Sequence, residues 1–277
     1  MALVDPDTLA VTDFSRHPLE STGPLAAFTG AIDAALADLP RPLPAAWAIA
    51  LPGPFDYAAG IGGRHPGGKL QALAGQDVRA LLRPLLGTAP VTFVNDALAF
   101  GLGSAAAVAA SGVRRVLALT FGSGIGSAFV EDGLPVADDR VPPGGEVYAL
   151  EAAPGLTIEA RFGPAALAGR HGCASFAELA GHARENQATL QELQHEFVGL
   201  ADALAPWLEG FAPEVIACGG GVVRAWDLFG HPFAERLALH APTLRTVSHE
   251  IETEATAIRG AVAYATAVGP PSDGAVE

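Results

Sequence analysis

The chain has 277 residues, half of them hydrophobic and 17% charged, which fits a folded protein with one large domain or two ordinary ones. Its 30 acidic residues outnumber 16 basic ones, and the formal charge of −14 argues against nucleic acid or an anionic membrane as partner. Either partner would require a basic surface. The charge does not exclude a phosphorylated ligand held by backbone amides and a metal ion.

The two cysteines, Cys173 and Cys218, lie far apart and lack the paired spacing of metal ligands. We therefore expect no structural zinc site and no disulfide framework, as is typical of a reducing compartment. We see no leader at the start of the chain in which a basic stretch is followed by an apolar one, and no apolar run is long enough to span a membrane. These features predict a cytoplasmic protein.

Apolar runs separated by glycine and proline predict alternating strands and helices. In chain order, the predicted strands are residues 2–4, 9–14, 46–51, 91–94, 116–121, 127–130 and 214–218. The predicted helices are residues 24–39, 76–86, a small-residue helix from 97, a long helix with an apolar face over 197–211, and 255–267. This alternation favours parallel βαβ units and an α/β fold.

Glycines cluster at two strand ends. Gly122, Gly124 and Gly126 follow one predicted strand, and the sequence resumes as a strand rather than a helix, which excludes a dinucleotide-binding fingerprint. The cluster fits a phosphate-binding turn, or a glycine-rich hairpin without a ligand. Gly219–Gly221 follows another strand and fits either a tight turn or close approach of a nucleotide base or ribose to the backbone.

Three acidic positions are candidates for chemistry. Asn95-Asp96 lies where a buried strand meets a helix start, so Asp96 is either a helix N-cap or an ionised base for a hydroxyl proton. Glu146 and Glu151 are either surface carboxylates or acceptors for sugar hydroxyls. Four histidines lie apart from one another in the sequence and form no obvious pair of metal ligands: His65, His171, His182 and His249.

Five segments in order resemble the ROK family of sugar kinases and related repressors. Val94-Asn95-Asp96-Ala97 resembles its V-x-N-D-A segment, and residues 119–126 resemble its second phosphate loop, L-x-x-G-T-G-I-G, with Ser123 in place of threonine. Pro52-Gly53-Pro54 resembles its V-P-G-P turn. Residues 218–223 resemble its adenosine segment, and residues 258–261 resemble its closing helix. The resemblance spans residues 2–265.

The resemblance implies a two-lobed actin-like ATPase (ribonuclease H-like) fold. The small lobe would comprise residues 1–95 and 258–277, and the larger lobe, residues 96–257, would carry the nucleotide site and a dimer surface. It also implies ATP and Mg²⁺ as cofactors, a sugar as substrate, and a homodimer.

The implied site residues divide by role. Asp96 would be the catalytic base, and Asn95, Glu146, Glu151 and Gly53 would contact the sugar. The nucleotide would meet the two glycine clusters, at Gly122, Ser123, Gly124, Gly126, Gly219, Gly220 and Gly221.

Three departures from the family stand out. Residues 145–149 retain the glutamate of G-E-I-G-H but place Ala149 where its histidine falls. The cysteine-rich zinc loop is absent, so that Glu151 follows at once as the second sugar glutamate. The family's opening strand and D-x-G-G-T loop are also missing, because residues 1–4 match only the next strand. We expect a shortened start, with a natural loss as the rival explanation.

Two functions follow. One is ATP-dependent phosphorylation of a hexose or amino-sugar hydroxyl, as in glucokinases. The other is sugar or nucleotide binding without turnover, because the histidine and two loops are missing. Two features argue against a DNA-binding repressor. The charge is acidic, and we see no helix-turn-helix before the kinase-like region.

Overall fold

The computed structural model describes residues 1–64 and 69–269, so the predictions for His65 and for residues 270–277 lie outside it. The chain divides into two compact units. The first unit comprises residues 1–99 and 257–277, and the second comprises residues 100–256. Within the described ranges, every helix is too short or too polar to cross a bilayer.

The first unit contains short strands and two complete helices. Its strands are β1 (Ala2–Val4), β2 (Val11–Phe14), β3 (Trp47–Leu51), β4 (Phe55–Asp56), β5 (Ile61–Gly62) and β6 (Val91–Asn95). Its helices are α1 (Leu25–Asp38) and α2 (Val78–Leu86), and α3 (Asp96–Val108) begins in it. These positions confirm the predicted elements in this part of the chain, except that the strand predicted for residues 9–14 begins at Val11, because Leu9 has a φ of +57°. The glycine-rich segment predicted as a loop also contains the small hairpin β4–β5.

The two longest ladders of the first unit contain two strands each. β1 pairs only with β2, antiparallel, and β3 pairs only with β6, parallel, among the described residues. The N–H of Trp47 donates to Pro90 O on the β6 side. Because alternate residues of a strand face the same neighbour, the backbone groups of Ala48 and Ala50 point away from β6. Both alanines are only partly buried.

The second unit is built on one mixed sheet. Its strands are β7 (Arg115–Phe121), β8 (Ile125–Glu131), β9 (Leu134–Pro135), β10 (Glu151–Ala153), β11 (Leu156–Thr157), β12 (Val215–Gly219) and β13 (Thr246–Glu250). The order is β13-β12-β7-β8-β9, with the first three parallel and the others antiparallel. β10 and β11 form a separate hairpin.

Helices cover this sheet with apolar residues. They are α4 (Ile158–Phe162), α5 (Pro164–Arg170), α6 (Phe176–Glu185), α7 (Gln187–Phe211) and α8 (Trp226–His240). The last helix, α9 (Thr253–Val268), begins in the second unit and continues in the first. The predicted apolar face of α7 is confirmed, because Phe197 is buried against Phe121 of β7 and Phe233 of α8. On α3, the Cα of Gly103 faces the backbone of Thr256 so closely that a Cβ would overlap the Thr256 carbonyl oxygen.

Candidate functional site

The end of β6 in the first unit carries Asn95 and Asp96. Asn95 Oδ1 accepts hydrogen bonds from the N–H groups of Ala97 (2.9 Å) and Leu98 (3.0 Å), which is the geometry of a helix N-cap. Asp96 is the exposed first residue of α3, and its Oδ1 accepts from the Ala97 N–H at 2.9 Å. Asn95 therefore caps the helix, and the carboxylate of Asp96 lies at the positive end of the helix dipole.

Tyr57 joins the residues around Asn95. Asn95 Nδ2 donates to Tyr57 Oη at 3.0 Å, and Tyr57 Oη donates to the Leu51 carbonyl at 3.1 Å. A Cβ at Gly53 would lie 3.6 Å from Tyr57 Oη and 3.9 Å from Asn95 Nδ2. Gly53 and Asn95, two of the predicted sugar-binding residues, are thus neighbours at the carboxyl ends of β3 and β6. Tyr57 was not predicted, since a single tyrosine in a glycine-rich segment carries no motif.

The first glycine cluster of the second unit is a tight hairpin between β7 and β8. Phe121 pairs with Ile125, so the second strand starts two residues earlier than predicted and the loop contains only residues 122–124. The N–H of Gly122 donates to Gly124 O at 3.0 Å. Nothing lies within 4 Å of a Cβ built on Gly122, whereas Gly126 is paired with Thr120 inside the sheet.

The second glycine cluster touches the first. Gly219 ends β12, and Gly220 has a φ of +92° and donates its N–H to Thr253 Oγ1 at 2.8 Å. A Cβ on Gly220 would overlap the carbonyl oxygen of Phe121, the residue before the first cluster. Space is open around a Cβ on Gly221. Two glycine turns therefore meet at the carboxyl ends of the parallel strands β7 and β12, where α/β sheets commonly bind ligands.

Ser127 ties the glycine hairpin to the segment that carries Glu146. Ser127 Oγ donates to Gly145 O at 2.5 Å and accepts from the Val147 N–H at 3.0 Å. Glu146 is exposed, and its Oε2 accepts a hydrogen bond from Tyr148 Oη at 3.1 Å. Burial, the charge of Glu146 and this hydrogen bond raise the pKa of Tyr148, so the phenol keeps its proton.

Glu151 and Glu159 differ in their contacts. Glu151 is exposed, and its Oε1 accepts a local hydrogen bond from the Gly155 N–H at 3.3 Å. Glu159 of α4 was not predicted, but its Oε2 accepts from the Ile125 N–H at 2.8 Å. The second unit thus brings together both glycine clusters, Glu146 and Glu159.

The part of the chain that the structure describes offers open backbone at the glycine turns but no cluster of metal ligands. Among residues 1–64 and 69–269, no three His, Cys, Asp or Glu side chains group as metal ligands. Cys173 Sγ and His182 Nδ1 lie 3.4 Å apart, but they are only a pair, and burial raises the pKa of the thiol. The open space around Gly122 and Gly221 gives a ligand direct access to the backbone.

Solved structures with this fold come from sugar kinases and a regulator. A ROK hexokinase from Thermus thermophilus is 22% identical, with a TM-score of 0.68 over 94% of this chain and 95% of that one. A ROK family glucokinase from Streptomyces griseus, in complex with glucose and AMPPNP, is 17% identical, with a TM-score of 0.69 over 96% and 95%. A ROK family transcriptional regulator is 19% identical, with a TM-score of 0.69 over 95% and 74%.

No protein-family model and no curated protein matches the chain. The structural likeness confirms the predicted α/β, actin-like ATPase fold, and the chain resembles ROK family sugar kinases in both its motifs and its fold.

Proposed function

We propose that this protein is a sugar kinase that transfers the terminal phosphoryl group of ATP to a hydroxyl of a hexose or amino sugar. The contact between the two glycine turns, through Gly220 and the backbone of Phe121, is the observation that carries the proposal. Two backbone turns that meet at the ends of parallel strands suit a ligand with both phosphates and a nucleoside. Solved structures of this fold include a hexokinase and a glucokinase, which supports phosphoryl transfer to a sugar as the reaction class.

Asp96 is the proposed general base. Its exposed carboxylate lies at the start of α3, where the helix dipole favours a negative charge, so it can accept the proton that the sugar hydroxyl loses as its oxygen attacks phosphorus. Asn95 and Gly53 would orient the sugar near this base, with Tyr57 holding the Asn95 amide. Glu146 and Glu151 would accept hydrogen bonds from other sugar hydroxyls.

The nucleotide would contact the two glycine clusters of the second unit. The exposed turn residues Gly122 and Ser123, with the partly buried Gly124 beside them, would receive the phosphates. Gly219–Gly221 would receive the adenosine, with open space at Gly221. Mg²⁺, if held by the oxygens of the bound phosphates, would neutralise negative charge on the phosphoryl donor. A homodimer and a cytoplasmic location complete the proposal, on the strength of the family resemblance and of the composition.

The second candidate function is sugar or nucleotide binding without turnover. Two contacts favour it: Glu146 already accepts a hydrogen bond from Tyr148, and the Ile125 amide of the glycine hairpin is already occupied by Glu159. Ala149 also stands where the family places a histidine. A ligand of this kind would raise the melting temperature with no ADP released.

The test is ADP release measured with a panel of hexoses and amino sugars. For an active wild-type chain, Asp96→Asn removes the base but keeps the shape of the side chain, so we expect kcat to fall by about 10²- to 10⁴-fold. Asp77→Asn is the matched control, because Asp77 also lies at a helix start in the first unit, where it accepts from the Ala80 N–H at 2.9 Å.

The control variant should retain wild-type kcat. Equal losses in both variants would point to damage of the fold and contradict a role for Asp96. Sugar-dependent stabilisation without any turnover by wild type would contradict the kinase and favour the binding function.

A further inference from the structure

A carboxylate lies directly on the glycine hairpin, in the place where the proposed function puts phosphate. Glu159, at the start of α4, reaches across 34 positions of sequence so that its Oε2 accepts from the Ile125 N–H at 2.8 Å. Ile125 is the residue that closes the three-residue loop. The hairpin is therefore held by an anion that belongs to the chain itself.

The glycines around this carboxylate give it room. A Cβ on Gly124 would lie 2.9 Å from Glu159 Oε1 and 3.1 Å from Oε2. A Cβ on Gly163 would lie 2.5 Å from Glu159 Oε1. Since real Cβ atoms do not approach oxygen so closely, a side chain at either position would displace the carboxylate. Gly124 therefore leaves room for the Glu159 carboxylate beside the turn.

The charge of Glu159 also acts on Tyr148, which is hydrogen-bonded to the proposed sugar-binding residue Glu146. It is one of the causes that raise the pKa of Tyr148, after burial and Glu146. Glu146 thus accepts a hydrogen bond from the Tyr148 phenol, and Glu159, which is bonded to the turn, acts on the same phenol through its charge. A phosphate without a cation would meet this negative field at short range.

We propose that Glu159 is a positioning residue that fixes the glycine hairpin through the Ile125 amide and weakens its binding of phosphate groups that carry no cation. The inference rests on the proposed function, because it concerns the same turn. It follows that the turn discriminates against a free polyphosphate and accepts a phosphoryl donor whose charge a divalent cation has neutralised.

The experiment measures ADP binding by calorimetry, in excess EDTA and in excess Mg²⁺. Glu159→Gln retains an oxygen acceptor for the Ile125 N–H but removes the charge. We expect magnesium-free ADP to bind about three- to fivefold more tightly to this variant than to wild type, as for one partly exposed charge, with a smaller change for Mg²⁺–ADP. Glu178→Gln is the matched control, since Glu178 also accepts a backbone hydrogen bond in the second unit, from the Ala174 N–H at 2.7 Å.

A second measurement tests the positioning without any nucleotide. Glu159→Ala removes the acceptor, and we expect the Ile125 amide to exchange with solvent about tenfold faster, the size of one lost hydrogen bond. Glu159→Gln should leave the exchange near the wild-type rate.

The outcomes separate this inference from the proposed function. Unchanged Ile125 exchange in Glu159→Ala would overturn the positioning role, and unchanged or weaker magnesium-free ADP binding in Glu159→Gln would overturn the charge effect. If wild type and every variant bind no ADP in either buffer, the nucleotide function fails and the charge effect fails with it. Faster Ile125 exchange would then still support the positioning role.

Discussion

Glu214 illustrates how much one buried carboxylate can organise. It lies just before β12, and its Oε2 accepts from the N–H groups of Arg114 (2.8 Å) and Arg115 (3.1 Å) at the start of β7. Its Oε1 accepts from Arg245 Nη2 at 2.6 Å, one residue before β13. The hydrogen bond from the Arg114 amide, followed by the bond from Arg115 and the positive charge of Arg245, holds the pKa of Glu214 below its usual range.

We expect Glu214→Gln to lower the free energy of unfolding at pH 7 by about 2 kcal/mol. The variant loses the negative charge that strengthens these hydrogen bonds, and its side-chain NH₂ group cannot accept a hydrogen bond in place of the second carboxylate oxygen. Because the folded pKa is depressed, this contribution is present above the unfolded pKa and is lost as the pH falls through the folded pKa. Denaturant unfolding of wild type and variant from pH 7 to pH 3 measures it. A stability gap that stays constant or widens towards pH 3 would contradict this account.

At the scale of elements, close packing depends on glycines within helices. Helix α3 approaches α9 where Gly103 faces the Thr256 carbonyl, with no room for a Cβ. Gly101, two residues earlier, would place a Cβ only 2.8 Å from that of Ala128 on β8. Two glycines of the predicted small-residue helix are therefore the residues that let α3 approach two partners.

We expect Gly103→Ala to destabilise the protein by about 1–3 kcal/mol, because the new methyl group must push α3 away from rigid backbone. Gly181→Ala in α6 is the control, since a Cβ there has open space, and it should stabilise by about 0.5–1 kcal/mol through the lower backbone entropy of alanine. Chemical denaturation compares the two variants. A neutral Gly103→Ala would mean that the two helices can separate without cost.

Sequence patterns predicted these elements better than they predicted contacts between them. The apolar periodicity of α7 and the runs that become β7 and β12 are local, so the sequence alone locates them. Glycine spacing likewise located both turns. The contact of Gly220 with Phe121 and that of Glu159 with Ile125 join segments remote in sequence, and no local pattern encodes such pairs. The capping role also falls to Asn95, because the helix starts one residue earlier than predicted.

Across the whole molecule, the two units differ in how completely their strands are paired. β7 has a neighbour on each side and is largely buried, whereas β3 pairs only with β6 among the described residues and its middle residues are partly exposed. Backbone hydrogen bonds that solvent reaches break more readily.

We expect peptides covering β7 to exchange their amide hydrogens at least about tenfold more slowly than peptides covering β3, because opening the second unit disrupts a larger core. Hydrogen-exchange mass spectrometry of the full chain at pH 7 gives both rates in one experiment. Equal protection of the two strands would show that β3 is held by something other than its single neighbour.

The order of the two units along the chain has a consequence for synthesis on the ribosome. The second unit is one continuous stretch, while the first is completed only by residues 257 onward. Ala261 of α9 is buried in a cluster with Val94 and Ala99 of the first unit. A nascent chain that has emerged as far as residue 256 therefore carries every residue of the second unit. At that point Ala261, which packs in one cluster with Val94, has not yet emerged. The segment made first is the last to obtain its full set of contacts.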